Sequence, residues 1–236
     1  YKNYLKIGMS GVIGGTGLGI AMITFIYSIT NTSAAVTLLC LAAMPFFTAL
    51  LGFLFLKENI SLNVWIAIII ATIGITIIAI GNTEKNSLLG LIFGMTSSIG
   101  FSVFSVTLRW KKETPKFTTV AFAGLFCFVV ATIVILTNDM VFLSTSYNGA
   151  LFSLHGTLVC MGLILYSIGS KAIPAAELTL LSLTEVIGGI FWVWIPLFGI
   201  NEIPSTNTII GGFFLFMSII YYSLTIKTNR RFIALN

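Results

Sequence analysis

"LTLLSLTEVIGGIFWVWIPLF", residues 178–198, is apolar almost throughout, yet it carries a glutamate, Glu185, near its middle. With 1.5 Å of rise per residue, Glu185 lies roughly 16 Å into the apolar run that begins at residue 174. That is about half of a ~30 Å hydrocarbon core. An acidic group at that depth costs about 2.5–3.5 kcal/mol to insert. A short carboxylate side chain cannot reach the interface from there, so Glu185 is expected to face a polar cavity or a bundle interior. The rest of the chain decides whether lipid is the solvent.

Of the 236 residues, 57% are hydrophobic and only 8% are charged. A soluble domain carries about 25% charged residues, so most of this exterior must face lipid. The formal charge of +5 sits in short gaps between apolar runs and forms no basic face, which argues against nucleic acid as a partner. Eight runs are long enough to cross a bilayer: 7–30, 33–56, 62–81, 88–108, 117–137, 150–170, 174–198 and 206–226. They are continuous, without the alternation of lipid-facing strands. The expected fold is an all-α membrane protein, a polytopic bundle of about eight transmembrane helices.

Eleven of the twelve cations fall on one side of this scheme: Lys2, Lys6, Lys57, Arg109, Lys111, Lys112, Lys116, Lys171, Lys227, Arg230 and Arg231. Lys85 alone falls on the other. The positive-inside bias therefore predicts a multi-pass protein of the cell membrane with both ends of this chain cytoplasmic. Cys40, Cys127 and Cys160 all lie inside apolar runs and are expected to be small buried hydrophobes. No two of them stand at metal-ligand spacing, and no metal is expected.

Two distant stretches resemble each other. Both open with Tyr-Ser-Ile, at Tyr27 and Tyr166, and both enter a helix through paired alanines, Ala34-Ala35 and Ala175-Ala176. Both end in a loop holding a glutamate, Glu58 or Glu202, followed by Ser and Asn. The copies begin five spans apart, so they cross the bilayer in opposite senses. Inverted repeats enclosing a midplane site mark secondary transporters.

At these residues the chain resembles the EamA-type transporters of the drug/metabolite transporter superfamily. The resemblance rests on "AAMPFFTALLGFLFLKE", with Pro45 and Glu58, and on "LSLTEVIGGIFWVW" followed by "GINE". It implies two inverted five-helix repeats, of which this chain looks like helices three to ten, the first two being absent. Residues 1–84 then correspond to three helices of the first repeat, 85–230 to five of the second and 231–236 to a cytoplasmic tail. Val186 stands where the second repeat often has proline. The implied activity is export of small metabolites, amino acids or drug-like solutes by alternating access.

Glu185 is the leading candidate for binding a proton or a cationic group; the competing reading is a protonated glutamate that holds the bundle together. Glu177, eight residues earlier, shares roughly its face near the cytoplasmic mouth. His155, the single histidine, is a candidate proton relay or solute contact. Trp192 is one heptad beyond Glu185 and could close over a bound molecule, while Tyr27 and Tyr166 are matched across the repeat near helix ends. Aromatic belts place Tyr and Trp at such positions without any function. Thr179, Ser182 and Thr184 are expected to bond their own helix backbone.

"GVIGGTGLG" from Gly11 is expected to be a packing stripe, because it lies inside a span and not between a strand and a helix. Gly90, Gly94, Ser98 and Ser102 form a second stripe. Catalytic constellations are missing, so an enzyme is not expected, nor a cofactor. The expected partners are the bilayer, a small-molecule solute and a coupling proton or ion; a homodimer is compatible with the sequence. A non-transporting membrane scaffold or assembly subunit is the alternative from another functional class.

Overall fold

The structure is a computed structural model that describes residues 7–58, 61–81, 88–110, 115–138, 145–194 and 205–234. Lys2, Lys6, Lys85, Lys111, Lys112 and Glu202 lie outside the described residues. The helices are α1 (Gly8–Asn31), α2 (Ala34–Leu41), α3 (Met44–Leu51), α4 (Leu62–Gly81), α5 (Leu88–Trp110), α6 (Lys116–Thr137), α7 (Ser146–Gly169), α8 (Ala175–Trp194) and α9 (Thr206–Ala234). A π turn, Gly52–Leu56, extends α3. Among the described residues six stretches are long and apolar enough to cross a membrane, and Leu62–Ile77 and Ile209–Tyr222 are shorter apolar helices. The chain is an all-α polytopic membrane protein.

Local chemistry sets the boundaries. The turn after α1 ends at Ser33, whose hydroxyl accepts from the Val36 amide at 3.2 Å and starts α2. Thr145 caps α7 in the same way, at 3.2 Å from the Asn148 amide. The span over 33–56 was expected as one helix, but it is broken at Ala42–Ala43. Pro45 has no N–H to give the Leu41 carbonyl, so the helix cannot continue regularly past that point. The chain tightens instead: Ala42 donates to Leu39 at 3.0 Å and Ala43 to Cys40 at 3.1 Å. Hydroxyls from α5 satisfy carbonyls on both sides of the break, Ser98 bonding Cys40 and Ser102 bonding Met44 at 3.1 Å. The Ser98 and Ser102 positions of the second small-residue stripe thus serve the broken helix. At the far end, α9 runs helical through Ala234, so residues 231–234 of the expected tail continue the last helix. Nothing after Gly212 breaks the pattern, since no Gly or Pro follows.

The glycine stripe of α1 is a packing surface, as its spacing implied. A Cβ on Gly11 would meet Thr119 at 3.0 Å, one on Gly15 Phe122 at 2.7 Å, and one on Gly19 Phe126 at 2.5 Å, all on α6. The neighbouring face, through Gly17, meets α5 backbone to backbone at Gly100. Two apolar cores follow. One joins Leu18, Phe104, Leu108, Val120 and Ala123 from α1, α5 and α6. The other joins Leu39, Ala49, Ile68, Leu183, Val186 and Leu215 from α2, α3, α4, α8 and α9.

The broken span and α8 run antiparallel. Leu38 early in α2 touches the Gly189 position late in α8. Glu58, at the other end of the span, shares Arg109 with the loop leading into α8. Helix α7 meets the bundle near its C-terminal end, through Leu163, Tyr166 and Ser167. Cys160 on its free face is exposed, which corrects the expectation of three buried cysteines. Cys40 is buried as expected and Cys127 is half-buried.

Candidate functional site

Helix α8 divides its surface cleanly. Ala176, Leu180, Leu183, Val186 and Ile190 pack into the second core. Helical spacing puts Glu177, Leu181, Glu185, Gly188 and Trp192 on the opposite side. Leu181 and Trp192 are exposed, as is Glu185, and Glu177 is half-buried. The hydroxyls beside them are spent on their own helix: Thr184 bonds the Leu181 carbonyl at 2.8 Å, Ser182 bonds Thr179 at 2.8 Å, and Thr179 bonds Ala175 at 3.2 Å. That leaves Glu185 as the polar group of the helix centre with no backbone bond to occupy it.

Tyr166, near the end of α7, is tied to α5. Its hydroxyl lies 2.7 Å from Ser105 Oγ on α5. Ser105 donates its own hydrogen to the Phe101 carbonyl at 2.9 Å, so Tyr166 is the donor between them. The phenol ring packs edge-on to Phe101 and stacks on Phe104. Leu178 of α8 lies against the Gly169 position at the end of α7. Helix α8 thus starts beside the end of α7, and its Glu185 side turns away from the core it shares with α4 and α9.

The other candidates are dispersed. Tyr27 is on α1, with its ring 5.4 Å from Phe93. Its loop lies against Gly90 of α5, at the opposite end of the bundle from the Tyr166 loop. His155 is exposed on the part of α7 that the bundle does not cover. The structure thus brings Glu185, Glu177 and Trp192 to one face, places Tyr166 on α7 against α5, and leaves His155 and Tyr27 apart. Among the described residues no three His, Cys, Asp or Glu side chains cluster to hold a metal.

One constellation was not foreseen. Arg109 Nε donates to Glu58 Oε1 at 2.7 Å, and its Nη1 donates to the carbonyls of Ser170, at 3.2 Å, and Ile173. Lys116 Nζ donates to Ser170 Oγ at 2.6 Å. In the sequence these residues stand only as loop charges; a pairing between span ends so far apart leaves no periodic signal.

Comparison with known proteins shows what the chain is similar to. Residues 2–80 match the EamA-like transporter family. An uncharacterized transporter of Helicobacter pylori strain J99 is 31% identical over 110 residues, covering 47% of this chain and 36% of that protein. A second, from Helicobacter pylori strain 26695, is 28% identical over 61% of this chain and 47% of its own. The alignments therefore span less than half the length of these two relatives. The pseudopaline exporter of Pseudomonas aeruginosa is 24% identical over 92% of this chain and 74% of its own length. A solved crystal structure superposes with a TM-score of 0.62 over 97% of this chain and 89% of that one, at 15% identity, which speaks for the fold alone. Over residues 2–80 the chain is thus similar to the EamA-like transporter family, and the relatives it aligns with are named as transporters.

Proposed function

We propose that this chain is part of a secondary transporter that exports a small solute by alternating access, with Glu185 binding a proton or a cationic group of the solute. The observation that carries this reading is a carboxylate at the centre of an apolar helix, exposed on the face opposite the packed core. A carboxylate kept only for stability would be expected to reach a partner across the helix interface. Two further features support the reading. The family match at residues 2–80 nearly coincides with the segment 1–84 read as one repeat. The antiparallel packing of α2–α3 against α8 suits oppositely threaded halves, and discontinuous helices at such interfaces are where transporters place their sites.

Export of small metabolites fits the pseudopaline exporter among the relatives. The cargo class favoured here is a solute with a cationic group, because Glu185 and Glu177 supply negative charge along α8. Orientation with both ends of this chain on the cytoplasmic side of the cell membrane follows from the cations gathered at one end of the bundle, Lys57, Arg109, Lys116 and Lys171 among them. No catalytic step belongs to this reading. Its test is solute flux from reconstituted vesicles, with Glu185→Gln compared with the parent chain. The variant is expected to insert and fold normally and to lose or uncouple flux. Flux equal to the parent's across a range of pH would remove Glu185 from the mechanism, and no flux from the folded parent chain would favour a scaffold role.

A further inference from the structure

We propose that Glu58, Arg109 and Lys116 form a latch that shuts the solute pathway at the cationic end of the bundle, and that the pathway opens there by release of the Glu58–Arg109 pair. The proposal rests on the transport reading and adds to it the group that sets which end is closed at rest.

The latch joins four pieces of chain. Glu58 follows the π turn that ends the broken span, while Arg109 ends α5 and Lys116 starts α6. The fourth piece is the loop 170–173, which leads into α8. Arg109 is the hub: its planar fork holds the Glu58 carboxylate on one side and the carbonyls of Ser170 and Ile173 on the other. Lys116 pins the same loop through Ser170 Oγ, and Ser170 in turn donates to the Ser167 carbonyl at 2.8 Å. Within the two segments read as repeats, Glu58 belongs to the first and every other member to the second. Separating the halves at this end therefore requires the Glu58–Arg109 pair to part, and withdrawing the lead-in loop of α8 requires Arg109 and Lys116 to let go.

Three observations make this a device rather than a fixed brace. The Arg109 and Glu58 side chains are 26% and 22% exposed, so water can take over their bonds when they part. A permanently buried pair would have no such exchange. Glu58 follows Lys57, held in a left-handed conformation at φ 53°, and a π turn; such irregular turns recur at functional sites. The opposite end is tied differently. There the α1–α2 connection is held by neutral hydroxyls, Ser28 to the Gly90 carbonyl at 2.8 Å and Ser28 to Thr37 at 2.8 Å. Charge-assisted bonds are about twice as strong as neutral ones, so among the described residues the stronger ties are at the cationic end.

The test reads accessibility without any solute. In a chain with Cys40, Cys127 and Cys160 replaced by alanine, Leu181→Cys is the reporter, one turn from Glu185 toward the latch and exposed on its face. A membrane-impermeant maleimide is applied to the cationic side of reconstituted vesicles. Glu58→Gln and Arg109→Gln should each raise the labelling rate by about fivefold or more, and the double variant should not exceed Arg109→Gln by much, because that single has already lost the Glu58 bond. Labelling unchanged by Glu58→Gln, or effects that simply add, would overturn the latch. Glu58→Gln keeps the side-chain shape and decides the matter if Arg109→Gln does not fold. Labelling that follows the latch while Glu185→Gln leaves flux intact would uphold the latch and remove Glu185 from the transport reading. Flux that needs Glu185 while labelling ignores Glu58 would do the reverse.

Discussion

Gly100→Ala places a methyl group where the backbones of α1 and α5 touch. A Cβ at Gly100 would stand 2.6 Å from the Gly17 carbonyl oxygen, and one at Gly17 would stand 2.9 Å from the Gly100 carbonyl oxygen. Close carbon–oxygen contacts begin at about 3.3 Å, so the two helices must part by about 0.7 Å here. Neither clashing atom is a movable side-chain end. The parting also strains the bond of Ser97 Oγ to the Ala21 carbonyl, which is 2.8 Å long and one turn away. Overpacking costs about 1–3 kcal/mol, and a backbone clash belongs at the upper end. Alanine's better helix propensity returns about 1 kcal/mol, leaving a net loss of roughly 2 kcal/mol. Gly124→Ala on α6 is the matched control, since nothing lies within 4 Å of its Cβ; it should be neutral or up to about 1 kcal/mol stabilising. Equilibrium unfolding in mixed detergent micelles, followed by circular dichroism, separates the two. Equal unfolding midpoints for both variants would mean that α1 and α5 do not meet backbone to backbone, and the packing of the first core would have to be redrawn.

Two further substitutions address the helix break and the Tyr166 phenol. Ser98→Ala removes the hydroxyl that bonds the Cys40 carbonyl at the break; it should cost about 1–3 kcal/mol in the same unfolding assay, and no loss would show the break to be satisfied without α5. Tyr166→Phe gives up its bond to Ser105 at about 0.5–1.5 kcal/mol. It should leave flux at the parent level, because that hydrogen is already committed; loss of flux in a folded variant would move Tyr166 into the solute site.

The helical spans were legible because lipid imposes a length: twenty or so apolar residues leave little freedom in where a helix begins and ends. The stripe at Gly11, Gly15 and Gly19 was legible for a related reason, since four-residue spacing on a helix puts three missing side chains on one face. The break at Ala42–Ala43 was signalled by Pro45, but its consequence was not, because a proline also sits comfortably in the first turn of a helix, as it does in α3. Deciding between the two needed the α5 hydroxyls, 58 residues away in sequence. Glu185 declared itself by charge against its surroundings. His155 stood out only as the single histidine, and its position on the uncovered face of α7 shows how little uniqueness says about placement. Glu58 and Arg109 were each read for a purpose, one as a repeat landmark and one as an orienting cation. Nothing in either stretch of sequence shows that they meet.

The most direct measurement concerns the solvent at position 185. In the cysteine-free background, Glu185→Cys and Phe128→Cys place thiols at mid-helix on α8 and α6, both at exposed positions. If the Glu185 face lines a wet pathway, the first should react with a water-soluble thiol reagent and the second, facing acyl chains, should not. Equal silence at both positions would put Glu185 against lipid and contradict the account.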